Sequence, residues 1–456
     1  VAAKADVEEN GYQRDLWVKP QEGEAFQLTT DGKTGGFLWD GPHTLLFQSG
    51  RDPQGKKAQE AGEEYTAFYR LDVRGGEAQK AFSVPLSASL VDKVGEGLYL
   101  LSVNWDLRFS KAYAMKGAAK EALLREKKEE RDYQVLDELP FYFNGAGFVN
   151  KHRTALFLLE ESTGKLTRIT RETFSVGGAH LSADGKKILY TGQAFTVKRK
   201  EKSGVYVYDL ETGSTTELLK PRVYSLYDAA WWGDKILLLG TDSKRYGINE
   251  NAQFYTLDPE TREVSLFAPY EQAVGSSVGS DCRLGGGRDL IAQDGKYYFV
   301  ATIRNASHVY CLEQTGEIRP VYTQEGSVDC MDVQDGKLYF VGMQDMKLQE
   351  VYAWDEAKQE RTQLTSLNEK VLEDVYVAMP QKLPYENDGT DLDGWVLLPK
   401  DFDPSKTYPA VLDIHGGPKT VYGEVFYHEM QFWANKGYFV FFCNPRGGDG
   451  RGNEFA

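Results

Sequence analysis

Residues 204–220 read GVYVYDLETGSTTELLK, and this stretch decides the fold. Aromatic and β-branched residues alternate up to Asp209, a Glu-Thr-Gly turn follows, and a second extended run leaves it. Alternation of period two, broken by turn residues, is the pattern of a β-hairpin. The same unit returns at 15–29, 66–82, 154–170, 251–268, 307–322 and 350–365, which makes seven copies. A second hairpin, turning on Asp-Gly or Gly-Asp, precedes several of them, at 182–190, 233–239, 293–299 and 334–340. Asp-Gly supplies the positive φ that a tight hairpin turn requires. Two hairpins per repeat make a four-stranded antiparallel sheet, and a ring of such sheets is a propeller. The chain is therefore expected to be mainly β, with a seven-bladed β-propeller over residues 1–368. A two-sheet sandwich is the alternative, and it does not account for a repeating pair of hairpins. Residues 1–5 read as a strand already inside a blade, so the first blade is expected to be incomplete and the native start to lie upstream.

One repeat carries an insertion at 107–133, dense in Ala, Lys and Glu, with apolar Ala119, Leu123 and Leu124. Strong helix formers at that spacing predict an exposed helix. It reads as a surface excursion before it reads as a lid or a partner-binding arm. The 456 residues are 41% hydrophobic and 13% aromatic, enough for a large packed core, and the net charge is −15. That charge argues against nucleic-acid or anionic-membrane partners, which call for clustered Lys and Arg. No apolar run approaches the ~18 residues of a membrane-spanning helix. Cys282, Cys311, Cys330 and Cys443 are scattered without metal-like spacing, as reduced thiols of a cytoplasmic protein would be. No cofactor or metal is expected.

After Leu367 the periodicity changes. Residues 371–379 and 392–398 read as strands about a polar turn at 387–390. Residues 408–418 read YPAVLDIHGGP, an apolar run closed abruptly by His415-Gly416-Gly417-Pro418. Such a run predicts a fully buried parallel strand with a tight turn at its carboxyl end. Residues 423–436 predict a helix stopped by Gly437, and 438–443 a second buried strand leading into NPRGGDGRG at 444–452. Strand, loop, helix, strand is one βαβ unit of a parallel sheet.

Tyr408-Pro409, His415-Gly416-Gly417-Pro418 and Asn444-Pro445-Arg446-Gly447-Gly448-Asp449-Gly450, with Gly394-Trp395 and Pro399 upstream, resemble the prolyl oligopeptidase family of serine peptidases, in particular its acylaminoacyl-peptidase-like branch. The resemblance covers essentially the whole chain, and the pairing of the two glycine-rich motifs is its specific part. It implies a propeller (1–368) that gates access, followed by the N-terminal part of an α/β-hydrolase domain (369–456), and hydrolysis of short peptides. It also implies that the Gly417 N–H serves an oxyanion hole, that Gly416 shapes the turn, and that the loop after Asn444 braces the site. Arg446 would bind a substrate carboxylate or hold its own loop, the second being the plainer role. The family's Ser, Asp and His are expected beyond residue 456, so this polypeptide alone should be inactive without the remaining catalytic segment; a homo-oligomer is also conceivable for the family. The reading from another class is a propeller binding scaffold with a vestigial hydrolase segment, and an esterase or lipase is less attractive still.

Other motifs have plain readings. Gly275-Ser276-Ser277-Val278-Gly279 matches G-x-S-x-G, but it precedes the glycine loop and lacks a strand before and a helix after it, so Ser277 is not read as a nucleophile. His415 is read as pinning the turn and His428 as a surface or core-packing residue rather than a metal ligand; His43, His152, His180 and His308 are read as structural. Asp31-Gly32-Lys33-Thr34 lacks the first glycine of a phosphate loop and is read as a hairpin turn. Glu160-Glu161 at a hairpin tip is read as a solvated turn before an anchor for a substrate amino group.

Overall fold

A computed structural model describes residues 1–456. Strands hold 45% of the residues and helices 9%, so the chain is mainly β. All seven copies of the repeated hairpin form, among them Gly204–Asp209 with Ser214–Leu219 and Glu350–Asp355 with Glu360–Gln363. Their turns follow from the residues at the strand ends. Asp209 Oδ1 accepts from the N–H groups of Glu211 and Thr212 at 3.1 and 2.8 Å, and Asp258 Oδ1 does the same for Glu260 and Thr261 at 2.9 Å each. A short carboxylate that bonds its own backbone two or three residues on closes the turn without help from packing. The inner hairpins turn at Asp294-Gly295 and Asp335-Gly336, where both residues have φ between 50° and 72°. That is the type I′ turn whose twist matches the flanking strands.

The chain divides into two compact units: Val1–Trp231 with Asp258–Glu263, and Trp232–Leu257 with Val264–Ala456. The first unit opens with two-stranded ladders, Ala2–Asp6 with Gly11–Asp15 and Trp17–Val18 with Phe26–Gln27. Three four-stranded antiparallel sheets follow, over residues 34–84, 88–168 and 174–219, each strand beside its neighbour in sequence. Their cores are apolar and aromatic, with Phe68, Tyr99, Leu101, Val103 and Phe157 almost wholly withdrawn from water. The insertion does form a helix, Gly117–Glu129, which buries Leu124 and is tied to residues 63–64 by Lys120–Glu63 and Lys127–Glu64 pairs at 2.9 and 2.6 Å.

The second unit repeats the pattern with sheets over 273–322 and 330–363, and then changes to a mixed sheet. That sheet runs in the order Gln381–Lys382, Thr390–Leu397, Phe439–Asn444, Ala410–Asp413. Ala410–Asp413 and Phe439–Asn444 are parallel and joined through the helix His428–Asn435, so the βαβ unit is present. Trp395, Leu397, Met430, Ala434, Val440 and Phe442 form its core.

Three local expectations need correction. Ala410–Asp413 is parallel but not buried: it is the edge of its sheet with one neighbour, and Leu412 and Ile414 are 62% and 73% exposed. Residues 371–379 are not a strand. A helical turn, Glu369–Leu372, occupies their start, and farther on the buried Gln431 side chain bonds both the N–H and the C=O of Ala378 at 2.7 and 2.9 Å. A side chain has taken the place of a ladder partner. The helix is also shorter than 423–436, running His428–Asn435, while Gly423 before it lies so close to Asn305 that a Cβ would stand 2.2 Å from its carbonyl oxygen. No helix of the chain is long and apolar enough to cross a membrane.

Candidate active site

The parallel pairing of Ala410–Asp413 with Phe439–Asn444 brings the carboxyl ends of both strands to one end of the sheet. Their glycine-rich loops therefore emerge side by side, which is where open α/β sheets bind ligands. The loops touch: Asp449 N–H donates to Thr420 O at 3.2 Å, and a Cβ on Gly448 would stand 3.3 Å from the same oxygen and 3.8 Å from His415 Cε1. Asn444 locks the second loop to the first, its amide bonding the N–H and the C=O of Tyr422 at 2.7 and 2.9 Å. The Tyr422 hydroxyl donates to Asp413 at the end of the edge strand, and burial, with Asp413 beside it, holds that phenol well above its ordinary range.

At the turn itself, Gly417 has φ 129°, a conformation closed to L side chains, and a Cβ there would meet Lys419 N at 2.9 Å. Gly416 is different: its φ is unexceptional and a Cβ would meet nothing within 4 Å. The unusual backbone of the turn thus falls to Gly417. Both glycines are exposed, and the Gly417 N–H donates to no group of the chain. An exposed, unspent amide at the mouth of a parallel strand is free to bind an anion. His415 pins this turn, with Nδ1 3.0 Å from Gly416 O and its ring edge-on to Tyr422 at 5.1 Å.

Arg446 lies away from that amide. Its Nη2 donates to Asp388 O at 2.9 Å and to the Thr390 hydroxyl, bracing the turn between Tyr385–Asn387 and Thr390–Leu397. The G-x-S-x-G segment has a structural task. Val278 makes a parallel bridge to Val421, with Gly279 N–H donating to Val421 O at 2.8 Å and Val421 N–H to Ser277 O at 3.0 Å. Ser277 Oγ donates to Asp449 Oδ2 at 2.6 Å. Two residues farther on, Asp281 accepts from the N–H groups of His428 and Glu429 at 2.6 and 2.9 Å and caps the helix there. His428 is exposed on that helix. Glu160 bonds its own turn through Thr163, whereas Glu161 is not a solvated tip residue: Arg70 grips it with two donors at 2.7 and 2.6 Å.

Sequence reasoning missed the bonds that Ser277 makes to Asp449, Asp281 to His428, and Lys419 to Asn251. Each acts across more than a hundred residues of chain, and no local pattern marks such a contact.

Comparisons with known proteins fit this geometry. No family model matches the chain. The uncharacterized peptidase YuxL of Bacillus subtilis is 25% identical over 472 aligned positions, covering 100% of this chain and 68% of that protein. Dipeptidyl-peptidase 5 of Porphyromonas endodontalis is 27% identical over 286 positions, 60% of this chain and 40% of its own length. Among solved structures, Pyrococcus horikoshii acylaminoacyl peptidase superposes with a TM-score of 0.74 at 20% identity, over 100% of this chain and 64% of that one. A pair of prolyl endopeptidases studied together gives a TM-score of 0.60 at 15% identity, over 97% and 59%. The chain spans about two thirds of the length of YuxL and of the Pyrococcus protein. Fold and relatives agree: the chain has the fold of the acylaminoacyl peptidase and resembles in sequence proteins named as peptidases, as its motif pair resembles that of the prolyl oligopeptidase family.

Proposed function

We propose that this chain is part of a serine-type peptidase that hydrolyses short peptides of the acylaminoacyl, dipeptidyl or oligopeptide kind, and that it supplies the anion-binding loop. The observation that carries the reading is the unspent Gly417 N–H, exposed at the carboxyl end of a parallel strand. When a nucleophile attacks a scissile carbonyl, negative charge gathers on its oxygen, and a fixed amide aimed there stabilises the transition state more than the substrate. The attacking serine, its acid and its base are assigned to chain beyond Ala456. The repeated four-stranded sheets are read as blades of a seven-bladed propeller limiting which peptides reach the loop, and 369–456 as the start of an α/β-hydrolase domain. Arg446 keeps its bracing role in this reading, because its guanidinium is already engaged.

The test uses the full-length protein, fluorophosphonate labelling, and dipeptide and acyl-amino-acid amides as substrates. Gly417→Ala should lower kcat by about 10²-fold or more, since a side chain at its positive φ displaces the amide assigned to the oxyanion. Gly416→Ala, with open space around it, should keep kcat within about twofold. Equal tolerance at both positions overturns the assignment. A full-length protein that neither labels nor cleaves peptides is the binding scaffold instead.

A further inference from the structure

Resting on the peptidase reading above, we propose that Lys419 is a positioning residue: its ammonium fastens the anion-binding loop to the segment between strands Lys235–Thr241 and Gln253–Leu257, and so sets the direction of the Gly417 amide. Lys419 follows Gly417 by two residues inside the same tight turn. A Cβ on Gly417 would meet the Lys419 backbone nitrogen at 2.9 Å, so the two residues are packed together within one turn.

A lysine in an exposed loop ordinarily leaves its ammonium in water. This one does not. Its side chain is only 21% exposed, and Nζ donates to Asn249 O at 2.9 Å and to Asn251 Oδ1, 168 residues away in sequence. Asp449 Oδ1 lies 4.0 Å from the same nitrogen. Burial opposes the charge and draws the lysine below its usual range, while Asp449 counteracts this.

The acceptors are themselves held. Asn251 N–H donates to Asn453 Oδ1 at 2.6 Å, Asn251 Nδ2 donates to Glu271 O at 2.8 Å, and Asn453 Nδ2 donates to Glu271 Oε2 at 2.9 Å. Asp449 is fixed through the 2.6 Å bond from Ser277, and its Oδ1 has no hydrogen-bond donor, so Lys419 is the cation it faces. Two donors of a compact ammonium meet a carbonyl and an amide oxygen that are in place beforehand, and a fixed carboxylate stands 4.0 Å away as the counter-charge. Such a fitting restrains a loop at low entropic cost at the moment of reaction.

Steady-state kinetics on the full-length enzyme test the idea. Lys419→Met keeps the stem and removes the charge; it should lower kcat about tenfold or more and leave KM within about twofold, because only the transition state depends on the amide's aim. The affinity for a peptide boronate, whose tetrahedral adduct places an oxygen at the loop, should fall by the same factor as kcat. Asn251→Ala removes the acceptor from the other side and should reproduce the split, and the double variant should be no worse than Lys419→Met, since both break one link. Melting curves establish that the variants are folded, and if Lys419→Met is not, Asn251→Ala decides alone. An active wild type with unchanged kcat in the folded variants overturns the proposal and leaves the peptidase reading standing, as does a loss confined to KM. A wild type inert toward every peptide and toward fluorophosphonate removes the peptidase reading itself, and this role with it.

Discussion

Arg153 and Glu138 show what a single pair contributes to the first unit. Their side chains are 0% and 1% exposed, joined by two bonds at 2.7 and 3.1 Å, and the guanidinium also donates to the carbonyls of His152, Thr173 and Phe195 while lying over the Phe195 ring. Every donor is matched, which is the condition under which a buried ion pair is tolerated. Removing one partner strands the other charge. Glu138→Gln is expected to cost about 3–5 kcal/mol of unfolding free energy, measured by denaturant titration. Glu138→Leu combined with Arg153→Met, which removes both charges, should cost much less than that single change. Neither residue announces this in sequence, where Glu138 stands beside Asp137 between Leu136 and Leu139, and Arg153 near the start of a strand.

At the scale of elements, what the sequence revealed was what local chemistry controls. Hairpins were legible because Asp209, Asp258, Asp294 and Asp335 close their turns with their own side chains or their own φ. The glycine loop was legible because Gly417 needs a backbone that few residues adopt. Elements decided from a distance were not legible. The helix His428–Asn435 starts where Asp281 caps it, 147 residues upstream, and no capping side chain lies at its own N-terminus. Residues 371–379 alternate like a strand, yet Gln431 takes the backbone groups of Ala378. The cap is open to measurement. Asp281→Ala should lower stability by about 1 kcal/mol, read from the denaturation midpoint, with Asp281→Asn recovering part of it.

At the scale of the molecule, pH acts through histidines that the fold keeps neutral. Burial alone lowers the pKa of His308, whose Nδ1 has no partner. Burial also lowers that of His152, with Asp106 opposing. Both fall below their ordinary value of 6.5, so between that value and the folded pKa the unfolded chain binds protons the native state refuses. Stability is therefore fully present above about pH 6.5 and declines as pH falls through it. Melting temperatures measured from pH 7.5 to 5.5 should drop, and His308→Phe should flatten that slope. Asp52 adds a second loss at lower pH. Burial works to raise its carboxyl, but Lys80 at 2.6 Å and the Tyr65 hydroxyl outweigh this and hold it at about 2, so its contribution disappears only as pH falls from near 3.8 toward that value.

The strip from Gly275 to Asp281 has a thermodynamic meaning beyond the bonds it makes. It gives Val421 two ladder bonds, Asp449 a hydroxyl and a helix its first acceptor, all within one compact unit. Heat that loosens the mixed sheet should at the same time strip partners from the sheet before it, so Trp232–Leu257 and Val264–Ala456 are expected to melt in one calorimetric transition, with calorimetric and van't Hoff enthalpies equal.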